Sequence, residues 1–289
     1  MLTYGTLLLE TRRRLKRAGI PDASLEAREI LCFASGKNGE QLLRDLSLYT
    51  SEQFQRVTER LLRRREAGEP LAYLIGEWDF YGLTLSLTPE VLIPRPDSEV
   101  LVERSLARLP GEEEVRVLDL CAGSGCIGLA LAHTAPACRV VLGEWQEAAL
   151  RVCRENIRRC GLNARVICQR LDALAPPPEE FRGQFHLIAC NPPYIPRGDI
   201  PGLDPSVRDY EPHIALDGGQ DGLDFYRSIT RQWTPSLLPG GALLFEVGAG
   251  QAQAVARLME EAGFRDITVT PDTHGIPRVV EGKLPGTAE

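Results

Sequence analysis

Apolar residues recur three, four and seven positions apart through the first part of the chain. Leu8 and Leu15 follow this spacing near the start, and Leu61 and Leu62 continue it near the end of the segment. The spacing places apolar side chains on one face of a helix, and a Gly-Ile-Pro turn and a lone glycine interrupt it. The pattern predicts a bundle of four or five helices over residues 1–70.

Short alternating runs replace the helical spacing after residue 70. The segment WDFYGLTLSL alternates apolar and polar residues on either side of Tyr81-Gly82, and the proline-bounded VLIPRP follows it. Alternation around a glycine turn is typical of two paired strands. We expect a β-hairpin linker over residues 71–97.

Strand-like and helix-like segments alternate from residue 98 onward. Apolar strand-like runs occur at 115–120, 139–143, 165–169, 185–190, 242–247, 266–270 and 278–282. Helical segments separate most of them, and parallel strands joined by helices require crossover connections. The pattern predicts an α/β domain over residues 98–289, with a mostly parallel sheet and helices on both faces. Ligands of such sheets bind beyond the carboxyl ends of the strands.

The composition is globular, with 43% hydrophobic and 25% charged residues among 289. The longest apolar runs fall far short of the roughly 20 residues of a membrane span, and the N-terminal charges follow the leucines, the reverse of a secretory signal. Eight cysteines include no Cys-x-x-Cys pair, and several lie in strand-like runs. We expect reduced, buried thiols, no metal site, no membrane partner and a cytoplasmic location.

Charge is distributed unevenly along the chain. Residues 1–70 carry 13 basic and 10 acidic side chains, and the remainder carries 20 basic and 30 acidic ones. An acidic domain repels a phosphate backbone, so no direct nucleic-acid substrate is expected. The basic clusters at 12–17 and 63–65 are interpreted as solvated helix faces, with nucleic-acid contact as the alternative.

A glycine loop follows the first strand of the α/β domain. It consists of Asp119, Leu120, Cys121, Ala122, Gly123, Ser124 and Gly125. Its small residues allow backbone amides to approach a ligand at the start of the next helix. Glu144 closes the second strand 19 residues after Gly125, where a carboxylate can accept both hydroxyls of a ribose. The pair indicates a nucleoside-containing cofactor; a structural turn and a dinucleotide site are the alternatives.

The loop resembles the Asp-x-Gly-x-Gly-x-Gly motif of Rossmann-like S-adenosylmethionine-dependent methyltransferases. Cys121 stands where that motif has its first glycine, and because cysteine resists a positive φ, we expect residue 121 not to need one. The resemblance implies S-adenosyl-L-methionine as cofactor and S-adenosyl-L-homocysteine as product. It also implies that Asp172, after the third strand, reaches the adenine amino group and that Ala173 lies along the ring. A capping or turn role for Asp172 is the alternative.

Asn191, Pro192, Pro193 and Tyr194 follow the fourth strand. Prolines lack N–H donors, so this segment offers oxygen acceptors. An amide or ring-bound amino nitrogen is a poor nucleophile because its lone pair is delocalised. Acceptance of its two hydrogens, by the Asn191 side-chain oxygen and the Pro192 carbonyl, favours a pyramidal nitrogen. Tyr194 is expected to pack against the planar target group; a rigid turn without chemistry is the alternative.

Longer segments resemble the peptide chain release factor glutamine methyltransferases (the HemK/PrmC family) over essentially the whole chain. The matching segments are PLAYLIGEWDFYGLTL, VLIPRPDSE, LDLCAGSGCIGLALA, CNPPYIP, VRDYEPHIALDGGQDGLDFYR and PGGALLFEVGAGQ. The family implies N5-methylation of the glutamine in the Gly-Gly-Gln loop of class 1 release factors. It implies that residues 191–194 hold the glutamine amide. The residues expected to hold the cofactor are Asp119, residues 121–125, Glu144, Asp172, Ala173 and Asn191. The N-terminal helices are expected to recognise the protein substrate.

Three other functions remain open from the sequence. A nucleobase amino-group methyltransferase would face the same lone-pair problem, and relatives that methylate a ribosomal-protein glutamine share Asn-Pro-Pro-Tyr. A non-catalytic S-adenosylmethionine-binding protein would have no use for that motif. Arg95, Pro96 and Asp97 match the family, but the sequence assigns them no contact.

Overall fold

A computed structural model describes residues 2–109 and 114–286 of the chain. The chain divides into two compact units. The first comprises Met1–Gly76 and Pro205–Tyr210, and the second comprises Glu77–Asp204 and Glu211–Glu289. No local pattern in the sequence indicated that Pro205–Tyr210 would belong with the first unit.

The first unit is helical, as the spacing of apolar residues predicted. Its helices are α1 (Tyr4–Arg17), α2 (Ala23–Ser35), α3 (Gly39–Arg44), α4 (Glu52–Glu66) and α5 (Leu71–Ile75), with the short α9 (Pro205–Arg208). Hydroxyl or amide caps start three of them, because Thr3, Asn38 and Ser51 each accept a backbone N–H of the first turn. The arginines of the second basic cluster pair with glutamates of the same unit.

The second unit begins with the predicted hairpin. Strand β1 (Glu77–Phe80) pairs in antiparallel register with β2 (Leu83–Ser86). Tyr81 and Gly82 both have positive φ values, 48° and 77°, as required at the two central residues of a type I′ turn. The hairpin prediction is confirmed.

A seven-stranded sheet forms the centre of the second unit, in the order β5-β4-β3-β6-β7-β9-β8. Its strands are β3 (Val115–Leu120), β4 (Cys138–Glu144), β5 (Val166–Arg170), β6 (Phe185–Cys190), β7 (Leu237–Glu246), β8 (Arg265–Pro271) and β9 (Pro277–Lys283). Five strands run parallel, and β9 is antiparallel to both of its neighbours, β7 and β8. The mostly parallel sheet was predicted; the insertion of β9 between β7 and β8 was not.

Helices cover both faces of this sheet. They are α6 (Ser98–Arg108), α7 (Cys126–Thr134), α8 (Glu147–Arg159), α10 (Asp224–Gln232) and α11 (Ala252–Glu261). Alternate residues of each strand enter different cores: Val117 packs in the core with α6, α7 and α8 residues, and Leu118 packs in the core with α10 and α11 residues. The burial of both faces explains why the central strands are mostly apolar.

The strand registers bring the predicted site segments to one edge. Leu120 pairs with Gly143 on one side and with Cys190 on the other, and Cys190 pairs with Phe245. The loops after β3, β4, β6 and β7 therefore start at the same level of the sheet. All five parallel strands point the same way, so this edge is the carboxyl edge at which α/β sheets bind ligands.

Candidate active site

A cavity of about 500 Å³ lies at this edge, within the size range of small-molecule sites. Of the predicted site residues, those on its wall are Cys121, Ala122, Gly123, Ser124, Glu144, Asp172, Ala173, Asn191 and Pro193. Asp119, Gly125, Pro192 and Tyr194 do not line it. The structure thus brings together residues from four loops that the sequence separates by up to 72 positions.

The glycine loop turns sharply at the end of β3. Cys121 has a φ of 64°, and Gly123 and Gly125 have φ values of 56° and 82°. The expectation that residue 121 needs no positive φ is therefore wrong. In this conformation the next amide, of Ala122, donates to the Gly143 carbonyl at 3.0 Å, which offsets part of a conformational cost of about 1–2 kcal/mol for a residue with a Cβ.

Asp119 shapes the loop from beneath. Its side chain is fully buried, and its Oδ2 accepts the Gly128 backbone N–H at 2.8 Å. Burial raises the pKa of this carboxyl to about 7. A Cβ on Gly128 would lie 2.4 Å from a Leu142 methyl, so only glycine lets α7 approach the sheet so closely. Asp119 therefore positions the start of α7 and does not reach the cavity.

Glu144 is fixed by backbone amides on both of its oxygens. Oε2 accepts from Gly123 at 2.9 Å and Oε1 accepts from Gln146 at 2.8 Å. Burial raises the pKa of Glu144 although these bonds oppose it. Each carboxylate oxygen has two lone-pair sites, so both can still accept a ligand hydroxyl. The arrangement suits a diol such as that of a ribose.

Asp172 and Ala173 follow strand β5 and lie on the cavity wall. The Asp172 Oδ1 accepts the Leu174 amide at 2.8 Å, and the Ala173 carbonyl accepts the Ser228 hydroxyl at 2.8 Å. Asp172 therefore makes the turn that the sequence offered as an alternative, and it also faces the cavity. The two readings are compatible because its second oxygen makes none of these bonds.

The Asn191–Tyr194 segment is held rigidly where β6 ends. The Gln251 side chain donates to the Tyr194 carbonyl at 2.8 Å, and the next amide, of Ile195, donates to the Leu216 carbonyl at 3.0 Å. The Asn191 Nδ2 donates to the Ser98 hydroxyl at 3.3 Å. Neither Asn191 Oδ1 nor the Pro192 carbonyl oxygen is occupied by a hydrogen-bond donor from the described residues.

Tyr194 packs behind the prolines and does not line the cavity. A Cβ on Gly248 would lie 3.0 Å from its ring, and the ring joins the core that contains α10 and α11. Burial, with the nearby Glu246 carboxylate, raises the pKa of Tyr194 to about 12. The expected packing of this ring on the target group stays a prediction. The ring contributes to the rigidity of the segment.

Several residues of the wall were missed by the sequence analysis. They include Glu90, Val91, Leu92, Pro94, Ser98, Trp145, His213, Ile214 and Phe225. The first five belong to the proline-rich segment and the start of α6, for which the sequence signal was the match to VLIPRPDSE. Trp145 directly follows Glu144, and the Arg170 guanidinium lies 4.4 Å from the centre of its ring.

The residues Arg95 and Asp97 have structural partners. Arg95 bonds to the carboxylate of buried Glu211, which also accepts the Ile93 amide at 3.2 Å. Asp97 forms an ion pair of 2.8 Å with Arg278 on β9. These bonds hold the wall segment against the rest of the second unit.

The described residues contain neither a membrane-spanning helix nor a metal-ligand cluster. No helix among them is both long and apolar enough to cross a membrane. Nor do residues 2–109 and 114–286 bring together three or more His, Cys, Asp or Glu side chains able to hold a metal ion.

Comparisons with known proteins match both parts of the chain. A family model described as the PrmC N-terminal domain matches residues 6–76, and one described as the methyltransferase small domain matches residues 97–200. The release factor glutamine methyltransferase of Geobacter sulfurreducens is 40% identical over 282 residues, covering 98% of this chain and 97% of that protein. That of Moorella thermoacetica is 41% identical, covering 96% and 97%.

A solved structure supports the fold. The methyltransferase from Pyrococcus furiosus aligns with 78% of this chain and 98% of its own, at 16% identity and a TM-score of 0.51. The α/β methyltransferase fold expected from the sequence is confirmed.

Proposed function

We propose that this chain, which belongs to the family of release factor glutamine methyltransferases, transfers a methyl group from S-adenosyl-L-methionine to the side-chain amide nitrogen (N5) of a release factor glutamine. The observation that carries the chemistry is a pair of acceptors that no described donor occupies, Asn191 Oδ1 on the cavity wall and the carbonyl of the next residue, Pro192, on a segment braced at the edge of the cavity. A carboxamide offers two hydrogens to such a pair.

The residues of the cavity fit the proposed cofactor. Glu144 has lone pairs for a ribose diol, Asp172 has an oxygen for an amino group, and the Gly123 turn leaves space that a side chain would fill. S-Adenosyl-L-methionine supplies a methyl group on a positively charged sulfur, and S-adenosyl-L-homocysteine is the product. The cofactor would be held by residues 121–125, Glu144, Asp172 and Ala173, while Asp119 fixes the glycine loop from below.

The chain's own contribution to the transfer is orientation. Acceptance of both amide hydrogens draws the nitrogen out of conjugation and aims its lone pair. The nitrogen becomes acidic only after it has gained the methyl group, so no strong base has to act beforehand. Fixed acceptors placed before the reaction lower the barrier without reorganisation.

The protein substrate is proposed to be a class 1 release factor, methylated in its Gly-Gly-Gln loop. We assign its recognition to the helical residues 1–70, with 71–97 as the hairpin linker and 98–289 as the methyltransferase domain. The matches at 6–76 and 97–200 support this division. The eight cysteines are free, which agrees with a reducing cytoplasm.

A transfer assay tests the proposal. Tritiated S-adenosyl-L-methionine is incubated with the purified protein and a release factor, with the same factor carrying Gln→Ala in its Gly-Gly-Gln loop, and with RNA and DNA. We expect label on the unmodified factor alone. Label on nucleic acid alone would show that the target is a nucleobase amino group instead.

A further inference from the structure

A carboxylate lies directly behind Asn191, outside the cavity. Strand β7 is the neighbour of β6, and the pairing of Cys190 with Phe245 places the next residues, Asn191 and Glu246, side by side. Glu246 is 2% exposed and does not line the cavity. Its backbone carbonyl accepts the Tyr226 hydroxyl at 2.8 Å, which fixes the end of the strand.

The Glu246 side chain faces the polar end of Asn191. Asn191 Nδ2 donates to Ser98 Oγ, and both side chains lie beside the Glu246 carboxylate. An ionised carboxylate can only accept, so it favours the Ser98 hydroxyl hydrogen and the NH₂ end of Asn191 on its side. The three side chains form a directed relay.

We propose that Glu246 is a positioning residue that, through Ser98, keeps the NH₂ end of Asn191 turned inward so that Oδ1 faces the reacting amide. The two ends of an asparagine amide have nearly the same shape, so packing cannot distinguish them. With the amide reversed, Asn191 would point hydrogens at the hydrogens of the substrate, and the site would lose one acceptor. This inference rests on the proposed function.

A purely structural explanation of Glu246 is unsatisfactory. A buried carboxylate opposes folding unless cations or donors compensate it. Glu281, on β9, is fully buried and has two arginines and a threonine hydroxyl as donors. Each of the two carboxylates keeps one oxygen without a hydrogen-bond partner among the described residues, but only Glu281 has arginines in ion-pair contact, and no described arginine or lysine forms an ion pair with Glu246. Its compensation is incomplete, as expected of a residue retained for its effect on a site.

Protonation of Glu246 offers an independent signature. Burial raises the pKa of Glu246 to about 7, while Ser98 and Arg278 oppose the shift. The titratable and charged groups that face it are Asp97, Arg278, Tyr194, Cys126, Cys190 and Tyr226. Once protonated, Glu246 can donate to Ser98 and no longer enforces the direction of the relay. We therefore expect kcat to fall as pH decreases through about 7.

The test compares Glu246→Gln with Glu281→Gln, a matched loss of a buried carboxylate away from the cavity. Glutamine keeps the size of the side chain but can present either a donor or an acceptor. We expect Glu246→Gln to lower kcat at least tenfold, to leave the Kd for S-adenosyl-L-methionine within twofold, and to flatten the pH profile. Glu281→Gln should lower the free energy of unfolding yet keep kcat and its pH profile. Equal kcat and pH profiles in wild type and Glu246→Gln would overturn the inference.

A second variant and a second measurement test the same inference independently of Glu246→Gln kinetics. Ser98→Ala removes the middle of the relay with minimal change in volume and should also lower kcat more than it changes cofactor affinity. The Asn191 side-chain NH₂ signals in ¹H–¹⁵N NMR should exchange slowly with water in the wild type and faster in Glu246→Gln. Unchanged exchange would overturn the inference. If wild type labels no release factor, the proposed function fails, and the NMR result then decides the inference separately.

Discussion

Asn191 and Glu144 both line the cavity, and we propose that they bind different partners there. Asn191 presents an oxygen from a segment with no N–H donors at Pro192 and Pro193, which suits the reacting amide. Glu144 is fixed by the amides of Gly123 and Gln146, which suits a diol. Their effects on turnover and on cofactor binding should therefore be separable.

Asn191→Ala should lower kcat by about 10²-fold or more while the Kd for S-adenosyl-L-methionine stays nearly constant, because it removes orientation of the nucleophile. Glu144→Ala is the matched control, with weakened cofactor binding as its main effect. Steady-state kinetics and calorimetry measure the two quantities. A loss of cofactor affinity in Asn191→Ala as large as its loss of rate would contradict the assignment.

Cys121 allows a test of backbone strain. Its φ of 64° is tolerated poorly by a β-branched side chain and freely by glycine. Cys121→Val should therefore be less stable than Cys121→Gly by about 1–2 kcal/mol in urea unfolding. Equal stabilities would mean that the loop changes its conformation at this position.

The sequence motifs identified candidate site residues, but they did not predict which of these residues face the cavity and which are buried beside it. Asp119 and Asn191 were both selected from motifs, yet one lies beneath the loop and the other faces the cavity. Ser98 and Glu246 lie far from Asn191 along the chain, and only strand pairing and the packing of α6 bring them together. The sign of φ at residue 121 depended on one hydrogen bond to β4, which no local pattern encodes.

Among the elements, α6 and β9 are joined by buried charge. Arg104 and Arg108 of α6 both bond to Glu281 of β9. Burial alone would raise the pKa of Glu281, but the hydrogen bonds from Arg104, Arg108 and Thr268 together lower it by more than burial raises it. The pKa of Glu281 is therefore below its usual value. Strands and helices with strong periodicity could be predicted from the sequence. The ion pairs between α6 and β9 could not, because the local sequence of β9 does not indicate which strand or helix it packs against. Its antiparallel place beside β7 depends on pairings between distant segments.

Glu281→Ala should reduce the free energy of unfolding by about 3–5 kcal/mol, because it leaves two arginines partly buried without an anion. Glu155→Ala, in an exposed pair with Arg158 on α8, is the control and should change it by less than about 1 kcal/mol. Chemical denaturation of the two variants measures both. Similar losses would show that the buried cluster contributes no more than a surface pair.

The stability of the whole molecule is expected to depend on pH through two buried carboxyl groups. Asp119 and Glu246 are buried carboxyls whose pKa values burial raises to about 7, above the value of about 4 in an unfolded chain. Between these values the folded state holds more protons than the unfolded state. Their contribution to stability is therefore full below about pH 4 and is lost as pH rises through about 7.

Asp119→Asn isolates one of these contributions. The amide oxygen can still accept the Gly128 amide, but it does not titrate. The difference in free energy of unfolding between wild type and Asp119→Asn should shift against the wild type by on the order of 1–4 kcal/mol from pH 5 to pH 8. Denaturation at both pH values measures it, and a constant difference would place the wild-type pKa outside this interval.

The position of β9 has a consequence for how the protein is made. Strand β7, which ends at Glu246, receives its second hydrogen-bonded neighbour only from residues 277–283, the last strand in chain order. During translation one edge of β7 stays without a paired strand until residues 277–283 have left the ribosome, and unpaired strand edges favour aggregation. A central strand of the sheet that carries the proposed site thus depends on a segment that follows it by about 30 residues in the chain.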